Sequence, residues 1–497
     1  ISDVKRFYAR GGRPRPSMDV KLSSAALSSD FISPSAACIK PIQIDQSKPN
    51  RHVLRLEGLQ DEEEASAGRL TAKVTLNDCL ACAGCITSAE SVLVTQQSTA
   101  EFLRSLGAFD HIVISLSAAA RAAIAVHAGL SLRETHGRLA GFFRRLGCHR
   151  LFDNGLASDL SLLQTAAEFI HRFRAAADPA APREGAAVLP LLTSSCPGWV
   201  CYAEKVVGAA ALPHMSCVKS PQQIMGTLLK YAHGAACGVP PERIYHVSVM
   251  PCFDKKLEAS RDDFFNGAAG EHGARDVDCV LSAGEVVQLI EEKAGALALV
   301  DGCEPDRQPD LSGLSEDGAL FTYAAPGGAG GYAEFVFRAA AAELFGVQEL
   351  GPLQWKAGRN ADVAELTLEQ NGVAVLRFAR AYGFRNIQNV VRRLKSGKSP
   401  YHFVELMACP GGCANGGGQP RPSRQDAMDR TQHIESAMVN PTECVQRSPA
   451  NNPRVQALFA PGGFLEGGPA GAAAQRYLQT QFHVVTDSAR DPLTISW

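Results

Sequence analysis

Cysteine is the residue of this sequence whose type and spacing speak most directly of chemistry. Eight of the fifteen cysteines fall into two sets. Cys79, Cys82 and Cys85 lie in the run Cys-Leu-Ala-Cys-Ala-Gly-Cys, and Cys38 is the only cysteine upstream of it. Cys196 follows Thr193-Ser-Ser, Cys252 follows Met250-Pro, and Cys409 and Cys413 enclose Pro410-Gly-Gly. Thiolate is a soft ligand that suits iron, and four thiolates are what a [4Fe–4S] cubane takes up. The two sets predict two such clusters.

The first set has the C-x2-C-x2-C spacing in which a tight loop wraps thiolates around one face of a cubane. A ferredoxin places its fourth cysteine three residues further on; Ile86 to Glu90 holds none, so Cys38 is expected to complete the set. Zinc, the rival metal, more often takes two separated C-x2-C knuckles, and the spacing favours iron. In the second set, Gly411 and Gly412 let the backbone come close to sulfide, and Gly416 to Gly418 extend that permissive stretch. Cys148, Cys201, Cys217, Cys237, Cys279, Cys303 and Cys444 lack ligand spacing and read as ordinary thiols. The thirteen histidines form no H-E-x-x-H pair and read as core or surface residues. Ser396-Gly-Lys-Ser399 has the form of the end of a phosphate-binding loop. Arg392 stands where that loop requires glycine and Pro400 follows at once, so no nucleotide site is expected.

Separate segments must carry these thiols to a common point. Val188 to Leu192 ends just before Cys196, Ile244 to Val249 just before Cys252, and Tyr401 to Leu406 just before Cys409. Each apolar run reads as a buried strand, and open α/β sheets keep their sites beyond the carboxyl ends of strands. His111 to Ser117 and then Ala118 to Ala125 read as strand and helix, another helix is expected from about Ala333, and a helical patch near 471–480. Alternation of this kind predicts α/β units with mainly parallel sheets. Residues 1–17, basic and rich in Gly, Arg and Pro, are set aside as a non-native or disordered leader. The remainder divides into an N-terminal cluster region over 18–106 with an acidic linker near 61–68, a first lobe over 107–240, a second over 241–415, and a C-terminal segment over 416–497 that packs on the lobes and ends in an exposed tail.

A net charge of −2 speaks against direct nucleic-acid binding through bulk electrostatics. No apolar stretch approaches the roughly 20 residues of a membrane helix, so no membrane partner is expected, and Ile1 to Arg10 lacks the apolar core of a secretory signal. Fifteen cysteines without export imply a reducing compartment, by default the cytosol.

Three motifs resemble the signatures of the iron-only hydrogenases: Thr193-Ser-Ser-Cys-Pro-Gly-Trp199, Met250-Pro-Cys-Phe-Asp-Lys-Lys-Leu-Glu258 and Met407-Ala-Cys-Pro-Gly-Gly-Cys413 with Ala414 to Gln419 after it. The resemblance implies a hydrogenase-like fold, two α/β lobes with mainly parallel sheets around a buried cluster, plus a small N-terminal ferredoxin-like cluster region. In those enzymes the cysteine matching Cys413 also bridges to a catalytic di-iron unit. Lys255, Glu258, Met250 and Met407 match hydrogenase positions. One position departs from them. Hydrogenases carry two consecutive cysteines, the first a proton donor, and here Ser195 precedes Cys196; a hydroxyl is a far weaker acid than a thiol, which counts against hydrogenase activity.

Phe31 to Pro41, Cys79 to Glu90 and Tyr382 to Asn389 resemble the nuclear prelamin A recognition factor-like family, from about Met18 to the C-terminus. Pro410-Gly-Gly-Cys413 has glycine where that family commonly has serine. The resemblance implies a cytoplasmic, also nuclear, assembly factor rather than an enzyme. Such a factor holds two [4Fe–4S] clusters, at Cys38, Cys79, Cys82 and Cys85 and at Cys196, Cys252, Cys409 and Cys413. It links an early cluster scaffold to a targeting complex that serves cytosolic and nuclear apoproteins. Ile495-Ser496-Trp497 meets the family's terminal aliphatic, small polar, aromatic pattern, which binds the targeting complex. On the residues alone, Trp497 beside a free carboxylate is either an anchor for a partner's pocket or a side chain packed on its own domain. The rival readings are a hydrogenase and a protein that recognises prelamin tails.

Overall fold

The computed structural model of the chain describes residues 93–485 apart from 179–187, 267–272, 304–319, 322–327, 359, 422–426, 441 and 446. Nine strands build its two main sheets: β1 (His111–Leu116), β2 (Arg150–Asp153), β3 (Leu191–Thr193), β4 (Ile244–Met250), β5 (Cys279–Ser282), β6 (Lys356–Ala357), β7 (Val363–Gln370), β8 (Val373–Tyr382) and β9 (Phe403–Met407). The first sheet has the order β2-β1-β4-β5 and is parallel throughout. All seven residues of β4 and five of six in β1 are buried, the pattern of strands covered on both faces. Ile112, Ile114 and Leu116 pack with Ala120 and Ile124 of the helix Ala118–Ala128 and with Val286 and Ile290 of the helix Ala283–Ala294. Both helices start on serine caps, Ser117 immediately after β1 and Ser282 as the last residue of β5.

The second sheet has the order β3-β9-β8-β7-β6. Its strands β3, β9 and β8 are parallel, while β8, β7 and β6 run antiparallel. The β7–β8 turn is the pair Asn371-Gly372, both at positive φ (52° and 75°), the conformation that a two-residue hairpin requires. β7 alternates buried and exposed positions because one of its faces meets solvent. The mainly parallel α/β architecture expected from the sequence is therefore observed, with an antiparallel hairpin added at one edge. β3 precedes β4 and β5 in the chain yet pairs with β9, so each sheet draws strands from both sides of residue 240.

The strand ends matter most for the site. β3 stops at Thr193, β4 at Met250 and β9 at Met407, each two or three residues before a candidate cysteine. The predicted helices lie at Ala118–Ala128, Tyr332–Phe345 and Ala472–Leu478. The C-terminal segment builds core: Val455, Leu458, Leu465, Ala474 and Leu478 pack with Phe152, Leu156, Leu160 and Leu228. Lys219 N–H donates to the Leu478 carbonyl and Thr480 N–H to that of Cys217, fastening the segment to the turn before the helix Pro221–Thr227.

A buried polar pair holds the same segment. Asn452 Nδ2 donates to Asp159 Oδ2 at 2.8 Å, and burial pushes that carboxyl up to about 7. Its ordinary unfolded value is about 3.9. A carboxyl raised on folding lends stability that is complete below the unfolded value and lost as pH rises through about 7. Asp159→Asn keeps an acceptor for Asn452, so its thermal midpoint should gain on wild type between about pH 5 and about pH 8, by several degrees. A midpoint difference independent of pH would contradict this account.

Candidate metal centre at the strand ends

Cys38, Cys79, Cys82, Cys85, Ile495, Ser496 and Trp497 lie outside the described residues. The other four candidate cysteines are described, and each is half-buried and free of a disulfide.

Cys196 follows β3 by three residues and begins the short helix Pro197–Tyr202. Its backbone is braced by Ser194, whose Oγ accepts from Cys196 N–H at 3.0 Å and donates to the Leu406 carbonyl on β9 at 2.6 Å. Cys196 Sγ in turn accepts from Ala408 N–H, the residue before Cys409, at 3.5 Å. Cys196 and Cys413 both pack against the patch formed by Ala329, Tyr382 and Met407. Three of the four thiol-bearing positions are thus tied to the end of β9.

Cys252 is brought in by glycine. Gly418 N–H donates to the Pro251 carbonyl at 2.9 Å, and the Gly418 carbonyl accepts from Gly284 N–H at 2.8 Å. A Cβ on Gly418 would stand 2.7 Å from Ser282 Cβ and 3.1 Å from Cys252 Cα, and one on Gly416 only 2.3 Å from the Pro251 carbonyl oxygen. No side chain fits in either place. Gln419 closes the loop, its Nε2 donating to the carbonyls of Cys413 and Ala119. Gly411 and Gly412 take positive φ (70° and 66°) between Cys409 and Cys413, and Gly412 N–H donates to the Cys409 carbonyl at 3.1 Å.

The electrostatics suit ligands that surrender protons on loading. Burial pushes the Cys413 thiol up to about 12, with Cys196 and Glu405 adding to the shift and Lys255 opposing it. Burial also raises Cys196 and Asp254 raises it further, while the N–H groups of Ala408, Trp199 and Gly198 pull it back by donating to sulfur. A bound metal supplies the positive charge that thiolates in such a place lack, so binding is coupled to proton release. A single ion gathers its ligand atoms close together, whereas a cubane spreads four thiolates over four irons. The donor set, the glycine-lined loop and the N–H groups aimed at Cys196 fit the larger group.

Several residues around the thiols went unnoticed in the sequence. Asp254 reaches within 2.8 Å of where a Gly198 Cβ would be, and burial pushes its carboxyl up to about 6. Its only cue was its position two residues after Cys252. Glu405, buried in β9, accepts from Ala333 N–H at 2.9 Å and from the Tyr382 hydroxyl at 3.1 Å. A lone carboxylate inside the apolar run Tyr401 to Leu406 was the available signal. Lys255 pairs with Glu258 at 2.8 Å, and Glu258 also accepts from Ser220, Gln222 and Gln223. Of the two methionines matched to hydrogenase positions, Met407 lines the thiol patch, while Met250 packs with Ala259, Val277 and Val280.

Residues 110–417 match the family described as iron only hydrogenase large subunit, C-terminal domain. The chain is similar to solved [FeFe]-hydrogenases, among them an apo form from Chlamydomonas reinhardtii with a TM-score of 0.64 and 28% identity, covering 78% of this chain and 98% of that one. It is 44% identical to cytosolic iron-sulfur assembly component 3 of Pongo abelii, over 94% of this chain and 97% of that protein. It is 43% identical to the cytosolic Fe-S cluster assembly factor narfl of Xenopus tropicalis over the same shares. Protein NAR1 of Arabidopsis thaliana is 41% identical over 93% and 96% of the two chains. Likeness of that extent, on a hydrogenase-like frame, means that this chain belongs to the cytosolic iron–sulfur assembly component 3 (narfl/NAR1) family.

Proposed function

We propose that the chain is a non-enzymatic factor of cytosolic iron–sulfur protein assembly, holding one [4Fe–4S] cluster at Cys196, Cys252, Cys409 and Cys413 and a second at Cys38, Cys79, Cys82 and Cys85. It acts in the cytoplasm between an early cluster scaffold and a targeting complex, which it meets through Ile495-Ser496-Trp497. The observation that carries the reading is the delivery of four thiols from the ends of β3, β4 and β9, joined by a loop too close-packed for side chains at 416 and 418. The names borne by relatives at 41–44% identity supply the cytosolic assembly role. Among the described residues no helix is long and apolar enough to cross a membrane.

Hydrogenase chemistry is the second reading, favoured by the hydrogenase neighbours and by retention of Lys255 and Glu258. Ser195 opposes it. A serine hydroxyl does not move protons at neutral pH as a thiol does, so the cluster-loaded protein should evolve no hydrogen from reduced viologen. Sustained evolution would reinstate the enzyme.

Iron content tests the ligand sets. Anaerobically purified protein should hold about eight irons, four per cubane. Cys82→Ala should lose about half and leave the second cluster's spectrum, while Cys413→Ala should lose the other half and lower the thermal midpoint, because its ligand joins segments distant in the chain. Full iron in either variant would refute its assignment.

The tail is tested separately. Deleting Trp497 should leave iron content unchanged yet weaken capture of the targeting complex roughly thirty-fold, the equivalent of about 2 kcal/mol for a buried aromatic anchor. Appending a few residues after Trp497 should do the same by removing the terminal carboxylate. Equal capture by all three chains would show that the tail only packs on its own domain.

A further inference from the structure

A second group of metal-binding side chains lies at the other end of the first sheet. His111 opens β1, at the amino edge, whereas the candidate cluster thiols follow the carboxyl ends of strands. His233 and Cys237 stand four residues apart in the helical stretch that runs from Pro221 to Cys237. Residues with that spacing share a helix face, and here the shared face meets His111. The Nε2 atoms of His111 and His233 are 3.0 Å apart, and Cys237 Sγ is 3.5 Å from His233 Nε2. The three ligand atoms all fall within 4.8 Å of one another, an arrangement reached by no other such trio among the described residues.

Two of the three spacings approach those of a known coordination sphere. With Zn–N of about 2.0 Å and Zn–S of about 2.3 Å, a tetrahedral ion spaces two nitrogens by about 3.3 Å and a nitrogen and sulfur by about 3.5 Å. The observed 3.0 and 3.5 Å lie within a few tenths of an ångström of these values, while Cys237 Sγ, also 3.8 Å from His233 Nδ1, stands beside the ring and must rotate in front of Nε2 to share an ion. Packing already holds the rings. His233 is buried edge-on against Phe152, with centroids 5.1 Å apart. His149 lies against His111 at 4.7 Å, and its Nδ1 accepts from Ile112 N–H, which leaves its proton on Nε2 and keeps it out of the ligand set. Cys237 is exposed, so a fourth position opens to water.

We infer that His111, His233 and Cys237 form a zinc site, with three protein ligands and a solvent molecule as the fourth. Two imidazoles and one thiolate are a donor set for zinc, whereas a cubane takes four thiolates. The ion clamps the first residue of β1 to the helical stretch, beside the point where Lys230 of that stretch pairs with Asp278 at 2.7 Å. The site is independent of the cluster assignment. Reading Cys237 from sequence as an ordinary thiol missed it because His111 lies over a hundred residues away, and only the pair at 233 and 237 is visible in the local spacing.

The test uses the full chain, loaded anaerobically with iron and sulfide, stripped of loose metal with chelator and titrated with zinc. One zinc per chain should survive gel filtration, and its X-ray absorption at the zinc edge should fit two imidazole nitrogens, one sulfur and one oxygen. Cys237→Ser alters an exposed side chain, so the fold should survive; that variant and His111→Gln should each weaken zinc retention at least tenfold while iron content stays at the wild-type value. Zinc held equally by wild type and both variants would overturn the inference. So would failure of the wild-type chain to retain zinc, or an absorption spectrum showing three or four sulfurs.

Discussion

The close approach of the Gly416–Gly418 backbone to the ends of β4 and β5 is the constraint on which the centre depends. One peptide segment receives a hydrogen bond from Gly284 and donates one to Pro251, so it bridges the turn that bears Cys252 and the helix that follows β5. Backbone-to-backbone bonding at this range leaves no room for a Cβ at 416 or 418. Because Cys413 lies only three residues before Gly416, fixing this segment also fixes the last thiol relative to Cys252. The β9 end supplies the other tie, through Ser194 bonded to Leu406 and Cys196 bonded to Ala408. A parallel arrangement suits the task, since β3 and β9 finish on the same side and turn their following loops toward one point.

Much of this was legible in the chain, and for a physical reason. Thiols that must meet need strands to aim them, and buried strands leave apolar runs such as Ile244 to Val249 that end where the turn residues begin. The glycines at 411, 412, 416 and 418 were read as room for sulfide; at 416 and 418 the structure gives that room to the Pro251 carbonyl and the Cys252 turn, and at 411 and 412 glycine serves a positive φ. What stayed hidden depended on pairing between distant segments. Nothing near Leu191 says that it will pair with Phe403 rather than with a strand of its own neighbourhood, so the interleaving of the sheets was invisible. The Asn371-Gly372 hairpin did carry a local cue, which an expectation of parallel sheets passed over. Asp254 and Glu405 were missed because a single carboxylate looks alike in a sequence whether it faces water or the interior.

The frame and the chemistry separate at few positions. The Lys255–Glu258 pair, with three further donors on the carboxylate, persists in a chain that has Ser195 where a hydrogenase places its acidic thiol. A buried ion pair of this kind is costly to break once built, because each partner would leave the other uncompensated. Structural demand alone is therefore enough to keep the pair in place. Lys255 also opposes the upward shift of Cys413, so the same cation eases ionisation of a thiol that is otherwise discouraged by burial. A cluster held at these thiols, as proposed, would need the loops and the cation but no proton donor at position 195.

Anomalous diffraction at the iron edge, from crystals of the full chain grown without oxygen, tests the central claim most directly. The account predicts a compact four-iron density enclosed by the sulfur atoms of Cys196, Cys252, Cys409 and Cys413, each bonded to a different iron. Iron density away from these four sulfurs, or a well-ordered site there with no iron, would contradict it.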